Sequence, residues 1–179
     1  MTGRVRELWT APSAAAPMVR LADVTALPGV GLAGDRYALG GGTWAAYPQL
    51  EKQVTLIDAD EVAAAGRAAG VALLPGDTRR NLVTDGIDLP GLVGRYFLVG
   101  DVLLFGTKRC PPCAHLERLT GMRLVKPLAP RGGINAAVFS RGTVAPGDVV
   151  RPVDDVEAAR RGAPTGTDRP VPRMVALPD

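Results

Sequence analysis

Residues 108–121 read KRCPPCAHLERLTG and contain both cysteines of the chain, Cys110 and Cys113, together with its single histidine, His115. Two cysteines form at most one disulfide, so they are not the framework of a disulfide-stabilised secreted domain. Three interpretations fit the segment. The cysteines are small buried apolar residues, or they join the histidine in supplying at most three ligands to zinc, or one is a reactive thiol that carries sulfur or binds a soft metal.

The elements around the thiols favour the third interpretation. A strand reading VLLFGT must end near Lys108, because neither of the two prolines that follow Cys110 can donate a hydrogen bond to a neighbouring strand. Proline suits the first position of a helix, so we expect Pro112 to begin a short helix that ends at Gly121. Cys113 would then lie at a helix N-terminus, where free amides and nearby cations favour a thiolate. Cys110 is close enough in sequence to form a disulfide with Cys113 or to resolve a modified one.

Short apolar runs separated by glycine and proline turns dominate residues 5–153, which predicts a mostly β domain with a barrel-like core and a few short helices. The early strands are expected at 5–9 and 18–27. QVTLID should run into a helix capped by Asp58 and stopped at Gly70. RYFLV and VLLFGT predict a hairpin, and INAAVFS and DVVRPV predict another.

The composition limits the classes of protein to consider. A hydrophobic content of 46% over 179 residues suits one globular domain, expected over residues 1–153, with a poorly ordered polar tail of at most one helical turn over 154–179. No apolar run is long enough to span a membrane and no signal peptide is evident, so we expect a cytoplasmic protein. A net charge of +3 and an aromatic content of 4% give little support to nucleic-acid binding.

Several spaced blocks of the chain resemble one family. The blocks are GLAGDRY, QVTLIDADE, RRNLVTDGIDL, VGDVLLFGTKRCPPCAHLERLTG and RGGINAAVFSRGTVAPGDVV. Together they are similar, over residues 3–153, to the molybdenum-cofactor sulfurase C-terminal domain, or MOSC domain. The resemblance implies a barrel-like fold and a pterin-based molybdenum cofactor as ligand. It also implies that Cys113 is the functional thiol, as a persulfide carrier or as the ligand of molybdenum, with Cys110 as its possible resolving partner.

The resemblance also indicates residues that bind the cofactor. The family's R-x-N element falls on Arg79 and Asn81; Arg79 is expected to hold a phosphate, and Asn81 to contact the pterin or the backbone that positions it. If this segment is extended, the next residue, Arg80, points away from the ligand. In GDRY, Arg36 either pairs with Asp35 or reaches the ligand.

Three other positions stay open at this stage. The family often has histidine where this chain has Tyr37, and a tyrosine cannot carry protons at neutral pH as histidine does. Arg131, in RGGIN, is a further candidate for binding the cofactor, although this stretch also fits a turn that enters a strand. His115 either tunes Cys113 or is an ordinary surface residue.

Two enzymatic activities are compatible with the resemblance: sulfur transfer, and molybdenum-dependent reduction of N-hydroxylated compounds. The other alternative is a module that binds or delivers the cofactor without turnover. The chain has no room for the pyridoxal-phosphate domain of fused sulfurases, so no site for that cofactor is expected. The expected partners are a cysteine desulfurase or an electron-transfer protein, and a molybdoenzyme that accepts the cofactor.

Overall fold

The computed structural model of the protein describes residues 2–43, 52–164, 166–168 and 170. The strands are β1 (Gly3–Thr10), β2 (Val19–Leu21), β3 (Val24–Leu27), β4 (Gly31–Leu32), β5 (Val54–Asp58), β6 (Leu82–Asp85), β7 (Tyr96–Val99), β8 (Val102–Arg109), β9 (Ile134–Val138), β10 (Gly142–Val144) and β11 (Val149–Pro152). The α-helices are α1 (Ala59–Ala69), α2 (Ala114–Thr120), α3 (Val125–Leu128) and α4 (Asp155–Arg160), and 3₁₀ turns cover Pro75–Thr78, Pro90–Leu92 and Gly166–Asp168. None of the described helices is long and apolar enough to cross a membrane.

Seven strands close into a barrel. Their order is β11-β7-β8-β9-β5-β6-β1, and pairing of β1 with β11, Gly3 opposite Val150, completes the ring. The pair β5–β6 is parallel and the other barrel pairs are antiparallel. β2 extends the sheet beyond β1, and β10, β3 and β4 form a small second sheet. The predicted mostly β, barrel-like fold is therefore confirmed.

Alternation along the strands separates the barrel interior from its outer wall. In β5, Val54 and Leu56 belong to the interior core, whereas Ile57 packs in a separate cluster with residues of α1, α2 and α3. Thr55 lies between Val54 and Leu56 and therefore points to the outside. The interior is filled by aliphatic side chains and Phe97. Polar side chains that could bind a ligand must consequently lie on the outer wall or at the loops.

Only one of the two predicted hairpins forms. β7 and β8 pair as expected, with Val99 opposite Val102. INAAVFS and DVVRPV do not pair with each other, so that prediction is wrong. β9 lies between β8 and β5, β11 lies between β7 and β1, and the connection between them contains β10. These pairings are determined by closure of the barrel rather than by the turn that connects the two segments.

The early chain also differs from its prediction in one detail. Residues 18–27 were expected to form one strand, but they form β2 and β3, which belong to different sheets. β1 covers the first predicted strand. The split allows β3 to leave the barrel sheet and pair with β4 and β10.

Helix α1 has the predicted ends. The Asp58 carboxylate accepts hydrogen bonds from the backbone N–H groups of Asp60 and Glu61, at 2.8 and 3.3 Å. Gly70 ends the helix with a φ of 67°, in the left-handed region. Burial raises the pKa of Asp58, partly offset by these two hydrogen bonds.

The N-cap leads to a stability prediction. Asp58→Ala should lower the free energy of unfolding by about 1 kcal/mol, whereas Asp58→Asn should retain most of the capping energy. Because the folded-state pKa of Asp58 is raised, ionisation of this carboxyl costs stability as the pH rises through that pKa. The stability of Asp58→Asn relative to the wild type should therefore increase with pH. Urea denaturation at several pH values measures both effects, and equal losses for the two variants would contradict the capping role.

The chain continues past the barrel as a packed helix. α4 is capped by the Asp154 side chain, which accepts from the backbone N–H of Glu157 at 2.7 Å. Ala158 and Ala163 pack in a cluster with Tyr96 and Phe105. This helix is longer than the single turn expected there. Residues 171–179 of the expected tail lie outside the described residues.

Candidate functional site

The segment that carries the thiols links β8 to α2. β8 ends at Arg109, and α2 ends at Gly121, whose φ of 69° is left-handed. The helix begins at Ala114 rather than at Pro112, because Cys113 has the extended backbone conformation of an N-cap residue, with φ −140° and ψ 163°. Cys113 nevertheless lies at the helix N-terminus, as predicted.

Both thiols are accessible. Cys110 and Cys113 are unpaired and half-buried, so the interpretation as buried apolar residues does not hold. Within the described part of the chain, no three His, Cys, Asp or Glu side chains are grouped so that they could hold a metal ion. This finding does not support a zinc site made by protein ligands. The interpretation as a reactive thiol is compatible with half-buried free cysteines and stays a prediction.

The two thiols line a cavity of about 280 Å³, here called the cation cavity. Its wall is built from the outer faces of β5 and β9, the end of β8, the residues before β6, and the loop that contains Tyr37. Six cationic residues line it: Arg36, Lys52, Arg79, Arg80, Lys108 and Arg109. No Asp or Glu is among its described lining residues. The excess of positive charge suits an anion with several negative charges.

Arg79 lines the cation cavity, and its predicted role in holding a phosphate stays a prediction. Its Nη1 and Nη2 atoms donate to the carbonyl oxygens of Ala16 and Ala14, each at 2.8 Å. Burial lowers the pKa of Arg79, and Arg36 lowers it further, but a guanidinium remains charged at neutral pH. Each of these two nitrogens has a second N–H, so the side chain retains donors for a ligand.

Arg80 also lines the cation cavity, which contradicts the prediction that it points away. Alternation requires an extended chain, but Arg79 ends a 3₁₀ turn with a φ of 57°, in the left-handed region. The guanidinium of Arg80 is buried and donates to three carbonyl oxygens: Gly132 and Cys110 at 2.8 Å, and Thr78 at 3.2 Å. Arg80 therefore fixes the backbone next to the first thiol.

Asn81 does not line the cation cavity and instead lies fully buried behind it. Its Oδ1 accepts from the backbone N–H of Thr55 at 3.1 Å and from the hydroxyl of Thr55 at 2.8 Å. Its Nδ2 donates to the carbonyl of Trp9 and to the carboxylate of Asp35, both at 3.1 Å. All the polar atoms of the amide thus have protein partners. Of the two predicted roles, this geometry supports positioning of the backbone.

The GDRY element forms a buried ion pair. Arg36 donates to Asp35 at 3.1 Å, and both side chains are almost completely buried. Arg36 also donates to the carbonyl of Arg79 at 3.1 Å, and its guanidinium lies 5.1 Å from the centroid of the Tyr37 ring. Arg36 is therefore on the cavity wall but mainly supports the loop and the strained Arg79 backbone.

Tyr37 occupies the cation cavity at the position where the family often has histidine. Burial raises the pKa of Tyr37, and the opposing effect of Arg36 is smaller. The phenol consequently keeps its proton at neutral pH and acts as a hydrogen-bond donor. This agrees with the expectation that it does not shuttle protons there.

Two further predicted residues lie at neighbouring positions. His115 lines a small adjoining cavity that also contains Cys113, and its Nε2 is 3.1 Å from the hydroxyl oxygen of Thr43. Arg131 does not line the cation cavity. Its Nε lies 2.7 Å from the Glu61 carboxylate, and the residues after it turn into β9.

The cation cavity contains residues that the sequence analysis did not select. Lys52 has no motif around it and reaches the site only because β5 lies beside β9. Arg109 is exposed, and its guanidinium makes no hydrogen bond or ion pair with the described residues. Arg109 is adjacent to Cys110 in the sequence, but it lines the cavity because β8 ends at this residue.

The MOSC domain model matches residues 32–151. No curated protein matches the chain. The fold is similar to that of the YuaD protein from Bacillus subtilis, with a TM-score of 0.69 and 19% identity over 84% of this chain and 94% of that chain.

Two YiiM structures are also similar. The protein from Geobacillus stearothermophilus has a TM-score of 0.65 and 15% identity, covering 85% of this chain and 75% of that chain. The protein from Escherichia coli has a TM-score of 0.62 and 16% identity, covering 84% and 70%. At such low identities, the TM-scores show a shared fold and nothing about activity. With the family model matching two thirds of the sequence in the region that holds both thiols and the arginines, the chain belongs to the MOSC domain family.

Proposed function

We propose that this domain binds a phosphate-bearing molybdenum–pterin cofactor in the cation cavity and presents the sulfur of Cys113 to it, as a persulfide carrier or as a metal ligand. The observation that carries the proposal is the lining of the cavity, which combines two half-buried thiols with six cationic residues and no described carboxylate; of the six, Arg36 is paired with a buried carboxylate, that of Asp35. Such a lining attracts a polyanion and places a soft sulfur atom beside it.

The residues present fit this cofactor. A metal held by protein ligands alone would require a cluster of donors that the described residues do not form. A metal that arrives with the ligands of its own pterin needs from the protein only one sulfur and a phosphate-binding surface. When bound, the group supplies redox and sulfur chemistry at molybdenum.

The side chains of the chain have distinct roles in this proposal. Arg79, Lys108 and Arg109 bind the anionic part of the cofactor, with Arg79 on its phosphate. Tyr37 donates a hydrogen bond. Cys113, at the start of α2, is the nucleophile that accepts sulfur or the ligand that contacts the metal. A cysteine desulfurase is the proposed source of sulfur and a molybdoenzyme the proposed acceptor.

Cofactor binding can be tested on protein purified from its native host. We expect molybdenum by mass spectrometry, and pterin fluorescence, to copurify with the wild type. Arg109→Glu replaces a positive by a negative charge in the cation cavity and should lower retained pterin by about tenfold, which corresponds to about 1.4 kcal/mol. Arg160→Glu, on α4 and outside this cavity, is the matched control for the change in net charge. Equal retention in both variants would contradict binding at this cavity.

Cys113→Ser separates the chemical role from simple delivery. If Cys113 carries sulfur or binds the metal, the variant should lose the transfer of persulfide sulfur to the cofactor, or the reduction of N-hydroxylated compounds, while it keeps most of the bound pterin. A variant that retains both sulfur transfer to the cofactor and the reductase activity would show that the thiol serves neither role. The reductase alternative additionally requires an electron-transfer partner.

A further inference from the structure

A second cavity lies on the other side of the segment that carries Cys110. It has a volume of about 230 Å³ and is here called the mixed-charge cavity. Arg109, Cys110 and Pro111 line both this cavity and the cation cavity. Cys113 lines the cation cavity and its small neighbour and is not among the described residues that line the mixed-charge cavity. Cys110 is therefore the one thiol that belongs to the walls of both the mixed-charge cavity and the cation cavity.

The backbone of Cys110 is held on both sides. Its N–H donates to the carbonyl of Gly133 at 2.9 Å, and its carbonyl accepts from Arg80 at 2.8 Å. Gly132 approaches so closely that an added Cβ would lie 2.2 Å from the Cys110 carbonyl oxygen. These contacts fix the first thiol in the partition between the cavities.

The two cavities differ in charge. The mixed-charge cavity is lined by three carboxylates, Asp58, Glu61 and Asp88, and by two guanidinium groups, Arg109 and Arg131. Glu61 and Arg131 are already paired, at 2.7 Å. One carboxylate oxygen of Asp58 and one of Asp88 accept hydrogen bonds from backbone N–H groups. The other oxygen of each carboxylate is left for a ligand. The combination repels a polyanion and complements a small zwitterion, whose ammonium and carboxylate groups find partners of opposite sign.

We propose that the mixed-charge cavity binds a small amino-acid persulfide, such as cysteine persulfide, and that Cys110 is the thiol through which sulfur enters the domain. This inference rests on the proposed sulfur-carrying function. The ammonium group of the donor faces Asp58 and Asp88, its carboxylate faces Arg109, and its sulfane sulfur meets Cys110. The cation cavity then receives sulfur and never has to admit the donor.

The transfer needs no external oxidant or reductant. The Cys110 thiolate attacks the outer sulfur of the donor R–S–SH; a bond forms between the Cys110 sulfur and that outer sulfur, the S–S bond of the donor breaks, and the thiolate R–S⁻ leaves. The Cys113 thiolate next attacks the outer sulfur of the Cys110 persulfide. A persulfide forms on Cys113 and Cys110 returns to the thiolate, with the proton staying on the transferred sulfur.

Quenched-flow labelling with cysteine persulfide tests the order of transfer. Trypsin cleaves after Arg109 and Arg118, so both thiols lie in the peptide 110–118, and fragmentation after alkylation assigns the extra sulfur to one of them. We expect the label first on Cys110 and then on Cys113. In Cys110→Ser, labelling of Cys113 should be at least about tenfold slower; in Cys113→Ser, the label should accumulate on Cys110. Labelling of Cys113 in Cys110→Ser at the wild-type rate would overturn the relay.

The zwitterion site has its own test. Asp88→Asn keeps the acceptor oxygen for the Gly91 N–H but removes the charge. It should raise the half-saturating concentration of cysteine persulfide severalfold and leave that of inorganic hydrogen disulfide, which has no ammonium group, unchanged. Asp85→Asn, outside this cavity, is the control. An equal effect of Asp88→Asn on both donors would overturn the binding site.

The outcome is separable from that of the proposed function. Wild-type protein that retains pterin but takes no sulfur on Cys110 overturns the relay alone. Wild-type protein that binds no pterin in the cation cavity overturns the proposed function. That result leaves open the order in which the two thiols are labelled, which the quenched-flow experiment measures separately.

Discussion

Replacing Asn81 with alanine is expected to lower the free energy of unfolding by about 4 kcal/mol, because the substitution leaves several buried polar groups without partners. The amide joins β1, β5 and the GDRY loop through Trp9, Thr55 and Asp35. The Asp35 carboxylate is fully buried and would lose one of its donors. Urea denaturation followed by circular dichroism measures the loss.

Asn135→Ala is the matched control for this prediction. Asn135 is also a buried asparagine beside the cation cavity, but its side chain donates one hydrogen bond, to the carbonyl of Arg109 at 3.2 Å. Its loss should cost about 1 kcal/mol. If Asn81 instead serves mainly to bind the cofactor, Asn81→Ala would weaken pterin retention while its stability stays within the range of the control.

Local signals predicted the elements more successfully than their arrangement. The cap at Asp58, the stop at Gly70 and the hairpin of β7 and β8 depend on neighbours in sequence, and all were correct. The pairing of β9 with β5 and of β11 with β1 depends on closure of the barrel. Many registers satisfy the same alternation of apolar residues, so sequence alone does not select the closed order.

The same distinction applies to the site. The clustering of Cys110, Cys113 and nearby cations in one segment was visible directly, and the segment does open onto a cavity. The role of Arg80 was not visible, because two of its three partners, Gly132 and Cys110, are distant in sequence. The alternation rule failed at Arg79 because one residue in the left-handed region is enough to turn two neighbouring side chains to the same side.

Asn81 illustrates a further limit. A motif identifies a residue without showing which of its possible roles it performs. The buried Asn81 amide makes four hydrogen bonds and supports the wall of the cation cavity from the protein interior. This burial depends on the whole fold, so a local motif does not reveal it. The family pattern selected Asn81 as a site residue, but the hydrogen bonds that favour a positioning role became apparent only from the contacts.

Arg80→Met is expected to lower the free energy of unfolding by about 3 kcal/mol and to loosen the segment that holds the first thiol. The substitution conserves much of the apolar stem but removes the donors to three carbonyl oxygens, those of Thr78, Gly132 and Cys110. Two of these carbonyls belong to the partition between the cavities. Alkylation of Cys110 by iodoacetamide should accordingly become severalfold faster. Circular dichroism under the same conditions should show that the variant is still folded.

Two arginine variants serve as controls for Arg80→Met. Arg79→Met removes two hydrogen bonds to the carbonyls of the half-buried residues Ala14 and Ala16, and should cost about 1 kcal/mol. Arg80→Lys keeps the charge, but one ammonium cannot reproduce the planar fork that reaches three separated carbonyls, so it should rescue neither stability nor the slow alkylation of Cys110. Full rescue by lysine would mean that Arg80 acts through its charge on the cation cavity. Equal stability of Arg80→Met and Arg79→Met, with unchanged alkylation, would mean that the thiol is positioned by the two prolines and the close approach of Gly132 alone.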